Sequence, residues 1–451
     1  MRPLLPTTST LPLFDVAASR RIEARALLKS PDLMERAGLA IAKLALALSL
    51  RHGDGPIWVV CGPGNNGGDG QVAARRLAQH GAAVHVGHDA PTRPSLVIDA
   101  LLGLGLNRAP PAGMLATLAA MQACAAPILA VDLPSGLLGD TGQAAGERAV
   151  RADHTLTLLT LKPGLFTGEG RAHCGRIWFD DLGVLPDEAS TAELLGRAPR
   201  PHRSETSHKG SHGQVLVVGG SPGMQGAAQL AARAALACGA GRVYLELLGQ
   251  PAGDQADPGR PELMRGTSDD VPQAVGVIGC GAGSSIAADL WSLLQLPRVV
   301  IDADALNAIA ADQSLQALVR SRQPGMTLLT PHPLEAARLL GRATADVQAD
   351  RLGAAHELAA RLHCSVVLKG SGSVIASPGN RSAICASGGP ALATAGSGDV
   401  LAGWLGGLWA QQPASDAHAV ACAGVDAHGR AGESNDVLRA GDLIERLAAQ
   451  R

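Results

Sequence analysis

Aromatic side chains are nearly missing from this 451-residue chain: Phe, Trp and Tyr together make up 2% of it. Cores with so few rings must close through aliphatic side chains and near backbone approach, which its 56 Gly residues permit. The same shortage argues against stacking platforms for single-stranded nucleic acid. The eight Cys are scattered singly with no C-x-x-C pair, so zinc ribbons, redox dithiols and a dense disulfide framework have no support. A reducing compartment, the cytoplasm, is expected. The formal net charge is -2 with no block of like charge, which argues against nucleic acid or an anionic membrane as the main partner. The longest apolar run, LAIAKLALALSL from Leu39, is too short to span a bilayer and contains Lys43. Pro3, Pro6 and Pro12 interrupt the apolar residues near the start, so no signal peptide is expected there. No G-x-x-x-x-G-K-[ST] occurs, and any nucleotide site is therefore not a P-loop.

What is present is an alternation of short apolar runs and helical patterns, the signature of parallel sheets covered on both faces. The first half predicts strands at IWVVC (from Ile57), AAVHVG (Ala82), LVIDALL (Leu96), PILAVD (Pro127), HTLTLL (His154) and RIWFDDLGV (Arg176). A helix pair precedes them, its second member opened by Pro31 and Asp32, and QVAARRLAQH forms a helix stopped by Gly81. Between Gly196 and Ser207 the text turns to GRAPRPHRSETS, polar and aperiodic. A boundary there divides the chain into domains 1–200 and 201–451. The second half restarts with QVLVVGG (Gln214) and is again α/β; no fixed-period repeat relates the halves.

In the second half, TAGSGDVLAG places Gly396, Ser397, Gly398 and Asp399 ahead of an apolar helix. Converging amides and the helix N-terminus make an anion hole there. Asp399 would repel the phosphate those amides attract, so its natural task is to take a proton from a hydroxyl attacking a phosphoryl group. A simple helix cap is the plainer alternative. LKGSGSVI supplies Lys369, able to neutralise nucleotide phosphates or to stand solvated in a turn. His332 lies between two prolines, and Asp302 and Asp304 fit either a cation or an Asx-turn.

Taken in order, these segments with HKGSHGQVLVVGGSPGMQGAAQLAARAALACGAG and GCGAG resemble the ribokinase-like ADP-dependent NAD(P)H-hydrate dehydratases across 206–451. The resemblance implies that Lys369, Gly370, Ser371, Gly372, Ser373 and Gly398 hold the adenine nucleotide with Mg2+. It implies further that Ala227, Gly283, His332 and Asp399 line the hydrate pocket. Met224 stands where the family often has an aromatic, and is expected to fill that apolar space. A ribokinase-like kinase fused to a non-catalytic dinucleotide-binding module is the alternative reading.

CGPGNNGGDG in the first half contains G-x-G-x-x-G at Gly62, Gly64 and Gly67. An oxidoreductase would also need an acidic residue about 20 positions on for the ribose, and Asp89 falls late. The oxygens of Asn65, Asn66 and Asp69 gather instead at a strand end, with further loops at Asp99, at Asp132 with Ser135, and at Lys162. This series, with LMERAG near the start, resembles the NAD(P)H-hydrate epimerases over about residues 10–195. The resemblance implies a Rossmann-like domain in which Asn65, Asn66, Gly67, Gly68 and Asp69, together with Gly103, Leu104, Gly105, Leu106, Asn107, Arg108 and Ala109, bind the hydrated dinucleotide as substrate. It also implies a potassium ion on Asn66, Asp99 and Ser135, and Asp132 in the substrate site. Proton transfer to and from the ring hydroxyl makes Asp132 and Lys162 the catalytic candidates. The substrates expected are NADHX or NADPHX and ADP, and self-association is expected.

Overall fold

A computed structural model describes residues 2–49, 53–198, 203–250 and 256–450. Two compact units emerge: the chain up to Thr7 with Leu11–Leu194, and Thr8–Thr10 with the chain from Leu195. Part of the expected linker, 199–202, lies outside the described residues.

In the first unit all six expected strands form: β1 (Ile57–Cys61), β2 (Val84–Val86), β3 (Leu96–Ala100), β4 (Ile128–Val131), β5 (His154–Leu158) and β6 (Arg176–Asp180). They lie parallel in the order β2-β1-β3-β4-β5-β6. Side chains alternate across the sheet, Ile57 and Val59 entering one core cluster and Trp58 and Val60 the other. Both faces are buried because parallel strands need helical crossovers on the faces. The order reverses at β1, so the crevice beyond the carboxyl ends of β1 and β3 is the topological switch point, where such sheets take ligands.

Helices α1 (Val16–Lys29) and α2 (Leu33–Ser49) precede β1. The second begins two residues after the expected Pro31–Asp32 opening. Helix α3 (Asn65–Gln79) starts earlier than its apolar pattern, so NNGGD is the opening of a helix rather than a loop. Gly67 explains this start: a side chain there would collide with the Gly62 carbonyl.

The second unit holds β7 (Gln214–Gly219), β8 (Arg242–Leu247), β9 (Met264–Arg265), β10 (Val275–Ile278), β11 (Arg298–Ile301), β12 (Thr327–Leu329), β13 (Ser365–Leu368), β14 (Ser373–Ala376) and β15 (Ser382–Cys385). Their order is β9-β8-β7-β10-β11-β12-β13-β14-β15, parallel through β13 and antiparallel thereafter. Val215 and Val217 face one core cluster, Leu216 and Val218 the other. Helices α4 (Gln225–Cys238) and α5 (Pro333–Leu340) flank this sheet, and α6 (Ser397–Gln411) runs against α4. A side chain at Gly403 or Gly407 would strike the backbone of Ala231 or Ala235, so small residues replace rings as the means of close packing.

Candidate functional sites

The carboxyl ends of β1 and β3 open into a cleft of about 820 Å³ in the first unit. Asn65, Asn66, Asp69, Gly103 to Ala109, Asp132 and Lys162 all line it, as expected from sequence. Gly67 is buried beneath, and the face of Gly68 is closed by Met34. Asp132 follows β4 in a left-handed conformation, φ 66°, which Asp tolerates better than most side chains. Its carboxylate pairs with the ammonium of Lys162, which is 1% exposed. Lys162 also donates to Leu158 O at 2.8 Å and Thr157 Oγ1 at 3.3 Å. These three acceptors match the three protons of the ammonium.

Asn66, Asp99 and Ser135 converge below the cleft. Asp99 is wholly buried; its Oδ2 accepts from Ser135 N at 2.8 Å and its Oδ1 from Ser135 Oγ at 2.5 Å. Asn66 Nδ2 donates to Leu102 O at 3.1 Å, and Ser135 Oγ meets Leu102 N at 2.8 Å. Burial pushes the Asp99 carboxyl up to about 6 against those hydrogen bonds. Among the described residues no basic side chain pairs with it. An all-oxygen donor set around a buried carboxylate suits a hard cation.

Three further cleft residues, Arg20, Glu23 and Thr160, were not singled out from sequence. Glu23 Oε1 accepts from Asn65 Nδ2 at 2.9 Å, and Arg20 Nη2 donates to Leu104 O at 3.0 Å. Arg20 and Glu23 lie far from the glycine loop in the chain, and the packing of α1 brings them in, while Thr160 comes from the loop after β5.

In the second unit Asp399 is in the first turn of α6, whose N-cap is Gly396 at φ 88° and carries no side-chain capping bond. The simple capping role is thereby removed. Cys280 Sγ and carboxylate oxygens of Asp302 and Asp399 lie within 4.8 Å of one another. Desolvation, then the Asp302 charge, push Asp399 up to about 6. Lys369 Nζ donates to Asp302 Oδ1 at 2.6 Å, and a side chain at Gly398 would come 3.4 Å from that ammonium. Burial alone would lower Lys369; Asp302 and Glu335 outweigh it and raise it. Asp302, which is followed by Ala303 at φ 50°, is 2% exposed. Asp304 Oδ2 accepts from Gly283 N at 2.8 Å, so its place is to hold the glycine turn after β10.

His332 caps α5: Nδ1 accepts from Leu334 N at 3.2 Å and Glu335 N at 3.4 Å, while Glu335 Oε2 accepts from His332 N at 2.8 Å. Desolvation, then Lys369, lower its pKa and leave it neutral at pH 7. Ala227 packs where a side chain on Gly281 would touch it. Gly370 and Gly372 turn the chain between β13 and β14, with Ser373 Oγ donating to Gly370 O at 3.2 Å. Ser371 is exposed in the same turn. Met224 departs from expectation: it is 53% exposed at the N-cap of α4. Sequence reading also passed over Cys280 and His428, which is buried, lowered to about 4 by desolvation, and bonded through Nε2 to Ser397 O at 3.0 Å.

Each unit is thus an α/β domain with its polar groups at the carboxyl edge of a parallel sheet, one lining a crevice of about 820 Å³ and the other gathering Asp399, Asp302 and Lys369 by the N-terminus of α6. Residues 215–441 match the family described as NAD(P)H-hydrate dehydratase, and residues 30–93 and 87–164 match the YjeF-related protein N-terminus. The bifunctional NAD(P)H-hydrate repair enzyme Nnr of Escherichia coli is 36% identical over 91% of this chain and 85% of its own. That of Moorella thermoacetica is 34% identical over 93% and 92%. A solved ADP/ATP-dependent NAD(P)H-hydrate dehydratase from Bacillus subtilis, co-crystallised with ATP/Mg2+, aligns with 55% of this chain and 92% of its own at 29% identity and TM-score 0.46. The chain belongs to the bifunctional NAD(P)H-hydrate repair enzyme family.

Proposed function

We propose that the first unit interconverts the R and S epimers of hydrated NADH or NADPH, and that the second dehydrates the S epimer with ADP, leaving NAD(P)H, AMP and phosphate. Asp399 carries this reading, because a carboxylate free of capping duty stands beside the Lys369–Asp302 pair at an anion hole. With a pKa of about 6 it is ionised at pH 7 and able to act as a base. It takes the proton of the ring hydroxyl as that oxygen attacks the β-phosphorus of ADP and AMP departs. Phosphate then leaves C6 with the bonding pair, the ring nitrogen forms an iminium, and loss of a C5 proton restores the double bond. Phosphorylation turns hydroxide into a good leaving group.

Lys369 to Ser373 and Gly398 are assigned to the nucleotide, which brings Mg2+ with it, and Ala227, Gly283 and His332 to the hydrate. In the first unit Asn65 to Asp69 and Gly103 to Ala109 are assigned to the dinucleotide, and Asp132 with Lys162 to proton transfer. Asn66, Asp99 and Ser135 are assigned a potassium ion, whose charge would offset buried Asp99. Self-association and a cytoplasmic setting complete the proposal. No helix among the described residues is long and apolar enough to cross a membrane.

The test is a mixed-epimer hydrate preparation incubated with the protein and ADP or ATP. Recovery of dihydropyridine absorbance with ADP, matched by AMP, is expected for both epimers. Consumption of ATP to ADP with the hydrate untouched overturns the proposal.

A further inference from the structure

The cleft of the first unit contains a carboxyl group that its ion pair does not account for. Lys162 is committed to Asp132, Thr157 and Leu158. Asp69 lines the same cleft from α3, yet its carboxyl makes no hydrogen bond or ion pair with any described residue. Both carboxyls that face it, Asp132 and Glu23, add negative charge. Its backbone is firmly seated: side chains on Gly67 or Gly70 would strike the Gly62 carbonyl or the Ala100 side chain, which sets α3 hard against β1 and β3.

We propose that Asp69 is the general acid of the epimerase site, donating its proton to the C6 oxygen of the hydrated ring. The inference rests on the epimerase reading of this unit. As Asp69 protonates the hydroxyl, the C6–O bond breaks with its electron pair leaving on water, and the ring nitrogen lone pair forms the N1=C6 iminium. Water then adds to the opposite face and its surplus proton passes by way of the Asp132 carboxylate, which lines the same cleft, back to Asp69, so atoms and charge balance over the cycle. Desolvation first, then the charges of Asp132 and Glu23, push Asp69 up to about 8, keeping a proton there at neutral pH. An anionic dinucleotide is also better received by an un-ionised group.

The test is Asp69→Asn, nearly equal in size but without a titrating proton. Epimer exchange over the uncatalysed rate should lose at least about 100-fold in kcat. KM for the R epimer should stay within about threefold, and ADP-dependent dehydration of the pure S epimer by the same protein should be unchanged. Wild-type exchange should fall as pH rises through about 8, and that limb should vanish from the residual rate of the variant. The other groups facing this part of the cleft are Glu23 and Arg20 from α1, Arg108, Asp132, Lys162 and, beneath α3, Cys61, which burial holds as a thiol near 11. Should the Asn variant fail to fold, Asp69→Ser carries the same test. Exchange within threefold of wild type, or a raised KM with kcat intact, overturns the inference while leaving the epimerase reading standing. Absence of exchange in the wild type overturns both.

Discussion

The two units meet one electrostatic problem and settle it at different levels. Each has a buried Lys–Asp pair at the carboxyl edge of its sheet, Lys162 with Asp132 and Lys369 with Asp302, beside a left-handed residue. Each has a second carboxyl that the pair leaves uncompensated, Asp69 in one and Asp399 in the other. Desolvation first, then the charges of Asp132 and Glu23, raise Asp69 to about 8. Desolvation, then the Asp302 charge, raise Asp399 to about 6, with Cys280 and then Lys369 working against them. At pH 7 the first keeps its proton and the second does not. The comparison teaches that burial raises both carboxyls, and that the charges beside each then add to that rise or work against it.

The largest break in this comparison is Asp399→Asn. Dehydration of the S epimer should fall by about 100-fold or more, while epimer exchange persists; an absorbance assay with each pure epimer reads both. Next is Asp132→Asn, which strands the Lys162 ammonium in a buried site. It should destabilise the first unit by about 3–5 kcal/mol and slow use of the R epimer without touching dehydration of the S epimer. Urea unfolding with a probe in each unit separates the effects. Smaller is the pH response: dehydration should rise with pH through about 6 as Asp399 ionises, and level off above it.

The same raised pKa has a stability consequence of opposite sign. The folded state holds the Asp399 proton more tightly than the unfolded chain, so stability falls as pH rises from about 4 to about 6 and is flat beyond. Asp399→Asn should therefore stabilise the second unit at pH 7, by on the order of 1–2 kcal/mol after allowance for its partial exposure, seen as a higher thermal midpoint. Smallest of all, Met224→Ala should change stability by less than about 0.5 kcal/mol, since half of that side chain is in solvent.

Much of the fold was legible because buried parallel strands announce themselves as short apolar runs, and each of the six runs expected as strands in the first half became one. Helix α3 was misjudged at its start because glycines and asparagines read as loop, whereas here glycine's lack of a side chain is what lets the helix begin against β1. Met224 was expected to fill the apolar space where the resembling family often has an aromatic, yet it is 53% exposed at the N-cap of α4. Arg20, Glu23, Cys280 and His428 carried no local pattern, being brought to their sites by distant segments of chain.

By itself the sequence determined which residue types stand at which strand ends, and so where each parallel sheet gathers its polar groups. That information is local, carried by periodicity and by glycine spacing. Only the tertiary structure decided which carboxyl each lysine would neutralise. Protonation depends on burial and on charges a few ångströms away in space, drawn from segments far apart in the chain, and no spacing along the chain records those distances.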